Sequence, residues 1–228
     1  GESMKKKTDK LAELVFAASA TVCILALLLI MVFIFYKGYP SINRTGVINF
    51  LFGKEWQPRA EVFGIFPMIA SSILVTLGAI IIGAPVGVLT ATFIVYLAPR
   101  RLGNLLKTAT DVLASIPSVI YGFFGLMIII PLIDSFLAFG AGGNSMLAAI
   151  IILSIMILPT VVSISETSMR EVDISYRDAS LSLGATRITT IFKVMIPAAF
   201  SGIMSAVILG VGRALGEAMA VILVSGNA

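Results

Sequence analysis

An all-α, polytopic transmembrane helical bundle is the fold class this sequence predicts, and three observations carry the prediction. The 228 residues are 58% hydrophobic and 12% charged, with a mean hydropathy of +1.06. A soluble domain is about half apolar and a quarter charged, so this chain has too little polar surface to cover a water-facing globule. Long runs without a single charge recur along it, each able to cross a hydrocarbon core of about 30 Å. The basic residues fall mainly on alternate connecting segments, as the positive-inside rule requires of a multi-span chain.

The elements follow in order. Residues 1–13 form a basic tail with Lys5, Lys6, Lys7 and Lys10, and Gly1-Glu2-Ser3 before Met4 reads as a tag remnant. Leu14 to Tyr36 is uncharged and too long for the apolar core of a cleaved signal, so it is expected to be a retained first span. Residues 37–67 are polar, with Pro40, Pro58 and the charges Lys37, Arg44, Lys54, Glu55, Arg59 and Glu61. Phe50, Leu51, Phe52 and Trp56 inside that segment suggest a short piece lying at the membrane interface. The rest, 68–228, is expected to form the core bundle. Met68 to Ala98 carries no charge over 31 residues. That is about 46 Å of helix, longer than the bilayer core, so tilt or a kink at Gly83, Pro85 and Gly87 is expected. Arg100, Arg101 and Lys107 mark a basic loop before a third span at 108–133, with Asp111 as a capping or interfacial residue near its start. A glycine-rich turn over 134–145 leads to a fourth span at 146–164, and 198–224 is the fifth.

With the N-terminus inside, the inside segments hold eleven basic residues: Lys5, Lys6, Lys7, Lys10, Arg100, Arg101, Lys107, Arg170, Arg177, Arg187 and Lys193. The outside segments hold four: Lys37, Arg44, Lys54 and Arg59. This asymmetry places the N-terminus in the cytoplasm. The basic groups are not interleaved with aromatics, so topology explains them and nucleic-acid binding does not.

The missing residue types exclude whole classes of chemistry. There is no histidine, hence no imidazole metal ligand and no Ser-His-Asp triad. A single cysteine, Cys23, supplies neither an internal disulfide nor a thiolate metal site. The one Gly-Lys pair, Gly53-Lys54, precedes Glu55 rather than Ser or Thr, so there is no phosphate-binding loop of the ATPase type. No cofactor and no metal are expected. If ATP drives this protein, another chain hydrolyses it.

The polar segment at 165–197 is too long for a plain connection. Ile188, Ile191, Phe192, Met195 and Ile196 fall on one helical face, with Arg187, Thr189, Thr190 and Lys193 on the other. Upstream, Tyr176, Ala179 and Leu183 share a face. Gly184 separates the two pieces as a helix-terminating glycine does, and Pro197 suits the start of the next helix. The pattern predicts a cytoplasmic helix-turn-helix elbow. It leaves open whether that elbow docks to a protein partner or rests on lipid headgroups.

Asp178-Ala179-Ser180, three residues, Gly184, nine residues and Val194-Met195-Ile196-Pro197 resemble the EAA loop of ABC importer permeases, which reads Glu-Ala-Ala, three residues, Gly, nine residues, Ile-x-Leu-Pro. The spacing is intact, and the departures (Asp for Glu, Ser for Ala, Val for Ile, Ile for Leu) are mild. The resemblance implies that Asp178, Ala179, Ser180, Gly184 and Pro197 couple the spans to a cytoplasmic ATPase dimer. Phe50 to Pro58, Phe63 to Pro67, Ile116 to Gly122 and Gly212 to Glu217 are similar to phosphate importer permeases of the PstC type. That implies a type I ABC importer permease fold in a bacterial inner membrane. It also implies a second permease as heterodimer partner and an external phosphate-binding protein. Such permeases carry a sixth span after the fifth. The sequence stops at Ala228 without one, so a shortened chain is expected.

Arg213 and Glu217 lie inside the fifth apolar run. Ionisable residues in hydrocarbon cost at least about 2.5–3.5 kcal/mol and are functional candidates for that reason. Their i, i+4 spacing predicts an ion pair on one face. Gly202, Ala206, Gly210, Ala214 and Ala218 would let a neighbouring helix approach and shelter them. Arg213 offers a planar, permanently charged fork for an oxyanion, and the resemblance points to the same two residues as a phosphate path. Tyr121, Thr76 and Ser118 are further path candidates. The alternatives are another oxyanion such as sulfate or molybdate, an ion-coupled carrier using Glu217, and a scaffold in which the two charges only lock helices.

Overall fold

The structure, a computed structural model, describes residues 2–57, 60, 62–137 and 146–225, and within them the side chains of 10–57, 60, 62–135 and 146–224. The chain divides into two compact units, 1–70 and 71–228.

In the first unit, α1 (Glu2–Thr45) does not stop at Tyr36 but runs through Pro40. Its membrane-length apolar stretch begins at Lys10, and Leu29, Phe35 and Tyr36 are at least 70% exposed, as expected of side chains meant for lipid or another chain. Gly46 at φ 78° ends the helix, because that backbone region is open to glycine at little cost. The predicted interfacial piece is α2 (Val47–Phe52) followed by a two-stranded antiparallel hairpin, β1 (Trp56–Gln57) and β2 (Val62–Phe63). Trp56 lies opposite Phe63 with its ring edge-on at 5.4 Å. The chain then folds back so tightly that a Cβ on Gly53 would lie 2.9 Å from the Gly64 Cα. Arg59 and Glu61 fall outside the described residues.

The second unit is built around one helix, α7 (Met146–Arg170). Ile152, Leu153, Ile157, Val161 and Met169 on it are fully buried. The run expected at 68–98 is α3 (Phe66–Thr92), continued by a π turn at Phe93–Leu97. It stays helical through Pro85, so the three marker residues do not interrupt it. Instead Gly83 and Gly87 let α7 approach: a Cβ at Gly83 would meet Ile157 at 2.8 Å and the Ser154 carbonyl at 2.9 Å, and one at Gly87 would meet Val161 at 2.7 Å. Between helices in lipid, packing of this kind replaces hydrophobic drive.

The third span differs from expectation. Residues 100–115 form a separate amphipathic helix, α4 (Arg100–Ser115). Ile116 is extended at ψ 126°, because Pro117 disfavours helical backbone at the residue before it. The span proper is α5 (Ser118–Phe124), a π turn at Gly125–Ile129 and α6 (Ile130–Leu137). Asp111 therefore sits on α4, outside the span. The first positions of the turn expected over 134–145 complete α6, and 138–145 lie outside the described residues.

After α7 come α8 (Ile174–Ser182), α9 (Arg187–Thr190), a π turn at Ile191–Met195 and α10 (Ile196–Ala198). The chain bends by 68° at Ala199 into α11 (Phe200–Leu215). The fifth run is not one helix to Val224. It breaks at Gly216 and restarts as α12 (Met219–Ser225). Gly122 and Gly125 admit α12 and α7 against the third span. Among the described residues four helices are long and apolar enough to cross a membrane, or five counting the bent pair at 187–215.

Candidate functional site

The elbow predicted between the fourth and fifth spans is present. Asp173 caps α8, its carboxylate accepting the Ser175 N–H at 2.8 Å. That hydrogen bond holds the Asp173 pKa below the ordinary aspartate value by stabilising the charged form. At the other end, Gly184 at φ 83° places its N–H on the Leu181 carbonyl at 3.0 Å and the Ala185 N–H on the Ser180 carbonyl at 3.2 Å. This is the paired closure of a Schellman turn. Ala179 contributes its carbonyl, which accepts the Leu183 N–H at 3.2 Å. Ser180 and Thr190 share a hydroxyl–hydroxyl bond of 2.9 Å that ties α8 to α9. Asp178 is exposed and accepts two bonds from Arg177, at 3.1 and 3.0 Å. Pro197 lies within α10, just before the bend. The elbow presents unusual apolar surface for a polar segment: Ile174, Tyr176 and Leu183 are 59%, 56% and 89% exposed.

The second helix of the elbow departs from its predicted face. Ile191 and Met195 are buried, but so is Thr190, while Ile188 and Phe192 are about half exposed. The π turn at 191–195 adds one residue to a turn and rotates the faces on either side of it.

Arg213 and Glu217 do not form the ion pair that their spacing predicted; none joins them among the described residues. The i, i+4 argument needs a continuous helix, and α11 ends at Gly216. Arg213 is exposed and its Nη1 donates to Thr160 Oγ1 on α7 at 3.1 Å. Glu217 has other partners. Its Oε1 accepts the Ala220 N–H at 3.3 Å, and its side chain lines a cavity of about 350 Å³ with Ser72, Thr76, Ala149, Leu153 and Val221. Thr76, a path candidate from the sequence, is thus beside Glu217. Tyr121 is committed elsewhere, donating to the Leu113 carbonyl at 2.8 Å. Ser118 begins α5 and lies apart from that cavity's lining.

One cluster escaped the sequence reading. Glu166, 4% exposed at its side chain, receives both Lys107 Nζ at 3.4 Å and Arg170 Nε at 2.9 Å on the same oxygen. It pins α4 to the end of α7. The i, i+4 Glu–Arg pair at 166 and 170 was the local signal; Lys107 lies far off in sequence.

A multi-span helical bundle with a capped helix-turn-helix elbow between α7 and α11 is the architecture of a membrane permease subunit. Residues 83–228 match the family described as the binding-protein-dependent transport system inner membrane component, and the chain belongs to that family. It is 42% identical to the "Probable ABC transporter permease protein YqgH" of Bacillus subtilis, over 94% of this chain and 70% of that protein. It is 32% identical to the "Phosphate transport system permease protein PstC" of Pasteurella multocida, over 90% of this chain and 69% of the relative. In fold it is similar to a chain of the inward-facing MetNI methionine ABC transporter, with a TM-score of 0.54 at 22% identity, covering 71% of this chain and 74% of the other.

Proposed function

We propose that this chain is the transmembrane permease subunit of an ATP-driven phosphate importer. It pairs with a second permease to form the path. It receives phosphate from an external binding protein and is moved by a cytoplasmic ATPase dimer through alternating access. The N-terminus and the elbow face the cytoplasm, and the elbow's exposed Ile174, Tyr176 and Leu183 insert into the ATPase. The observation that carries this reading is that elbow: a capped, Schellman-closed helix with apolar surface offered to water, wired through a fixed bend to a span that holds Arg213. The substrate assignment is supported by the relatives named for phosphate transport.

Arg213 serves the oxyanion, since among the described residues its guanidinium holds only one neutral hydroxyl and has donors to spare. Glu217 and Thr76 line the adjoining part of the path. The test is uptake into vesicles carrying the full complex. Arg213→Ala and Glu217→Ala should each abolish ATP-dependent phosphate accumulation while the complex still assembles. Normal transport by both variants would end the assignment of these two residues. Accumulation of sulfate or molybdate in place of phosphate would move the chain to another oxyanion. Uptake that follows an ion gradient without ATP would refute the importer reading altogether.

A further inference from the structure

A cavity of about 290 Å³ lies between the last turn of α3's continuation and the elbow, away from Arg213 and Glu217. Two arginines, Arg177 and Arg187, line it, together with Tyr96 and the apolar Val95, Leu181 and Met195. The Arg187 side chain makes no hydrogen bond or ion pair among the described residues, so its five donors are open. Arg177 holds only Asp178, a carboxylate itself more than half exposed, so water can take over that contact at small cost. The other polar groups are already satisfied inside the fold. Tyr96 donates to the Met169 carbonyl at 3.1 Å, and Thr190 pairs with Ser180.

Depth decides what such a cavity meets. Val95 and Tyr96 are in the final turn of an apolar span that ends at Leu97, with Arg100 and Arg101 following after Ala98 and Pro99. A tyrosine at the end of a span marks the headgroup level. There a basic, part-apolar recess between helices suits a phosphate group carrying a hydrocarbon chain. Guanidinium is the side chain best matched to phosphate oxygens, which it holds by two parallel bonds.

We propose that Arg177 and Arg187 clamp the phosphate of an anionic membrane phospholipid, with its acyl chain against Val95, Leu181 and Met195. The clamp bridges the end of the second span and the elbow, so the bound lipid stiffens the joint through which the elbow moves the spans. It holds whether or not phosphate is the transported solute, because the residues are distinct from the proposed path.

The purified full chain in neutral maltoside micelles provides the test, titrated with short-chain phosphatidylglycerol, with phosphatidylcholine of equal chain length, or with inorganic phosphate. Thermal unfolding is followed at fixed ionic strength. Phosphatidylglycerol should raise the midpoint saturably, and phosphatidylcholine should not. Arg187→Gln and Arg177→Gln should each weaken the apparent affinity about tenfold, and Arg187→Lys should recover only part of it. Arg101→Gln, which removes an equal charge outside the cavity, should leave the titration unchanged. A shift produced equally by inorganic phosphate and lost in Arg187→Gln keeps the clamp but makes its ligand a soluble ion. A phosphatidylglycerol shift that survives the double Arg177→Gln, Arg187→Gln change, or that Arg101→Gln reduces as much, overturns the proposal.

Discussion

Adding one methyl group at Gly83 tests how α3 and α7 are held together. The new Cβ would stand 2.8 Å from Ile157 and 2.9 Å from the Ser154 carbonyl. Ile157 is 1% exposed and has nowhere to swing, and the carbonyl belongs to a helix backbone. The two helices must part by about half an ångström to restore ordinary contact. Overpacking of this kind costs about 1–3 kcal/mol, while Gly→Ala inside a helix returns about 1 kcal/mol of propensity. Gly103 on α4 separates the two terms. A Cβ there meets nothing closer than the Ile94 carbonyl at 3.6 Å, so Gly103→Ala carries the propensity gain without the clash. The difference between the two variants is then the packing cost itself, about 1–3 kcal/mol. At about 2–4 °C per kcal/mol for a chain of this size, Gly83→Ala should melt roughly 2–12 °C below Gly103→Ala. Circular dichroism scans of the two proteins in one detergent measure this directly. Equal midpoints, or a higher one for Gly83→Ala, would refute close helix contact at Gly83.

Three further outcomes follow from the site. Glu166→Ala should cost about 1–2 kcal/mol in the same assay, below the 3–5 kcal/mol of a fully buried broken pair, because Lys107 and Arg170 are 55% exposed and regain water; Lys107→Met should cost less than about 1 kcal/mol. Gly184→Ala should cost about 1–2 kcal/mol through its left-handed backbone alone, since nothing lies within 4 Å of the added carbon; amide exchange at Ala185 reads the loosened turn, and Gly184→Asn should be milder. The Asp173 cap has a lowered folded pKa, so its stabilisation is full above the unfolded aspartate value and fades as pH falls through the folded one; the protection of the Ser175 amide, its exchange rate compared with the intrinsic rate at the same pH, should fall below about pH 4, and Asp173→Asn should remove that pH dependence.

The apolar runs foretold the helices because in lipid each span must satisfy its own backbone, so composition alone marks where helices lie. The elbow was legible for a local reason too: a glycine at 184, separated from Val194 by nine residues, has one conformation that closes a helix. What escaped the sequence is where continuity fails. Pro117 carried the signal for a break at Ile116, but an uncharged run from Val112 to Ile133 masked it. Gly216 severed the spacing that seemed to join Arg213 to Glu217. Thr190 is buried where its hydroxyl meets Ser180 on α8, a contact across the turn that no hydrophobic pattern announces. Glu166 looked like one more charge in a polar segment until folding brought Lys107 to it.

Among the described residues, the three π turns at 93–97, 125–129 and 191–195 bear on how such a chain can change length over time. Each already holds one residue more than ordinary winding needs. Loss of a single residue there would relax the turn to α-helical pitch and leave both flanking faces aimed as before. The same loss elsewhere in α7 or α11 would swing everything beyond it by about 100°. Alignment gaps of one position among relatives should therefore gather at these turns and avoid the helices between them.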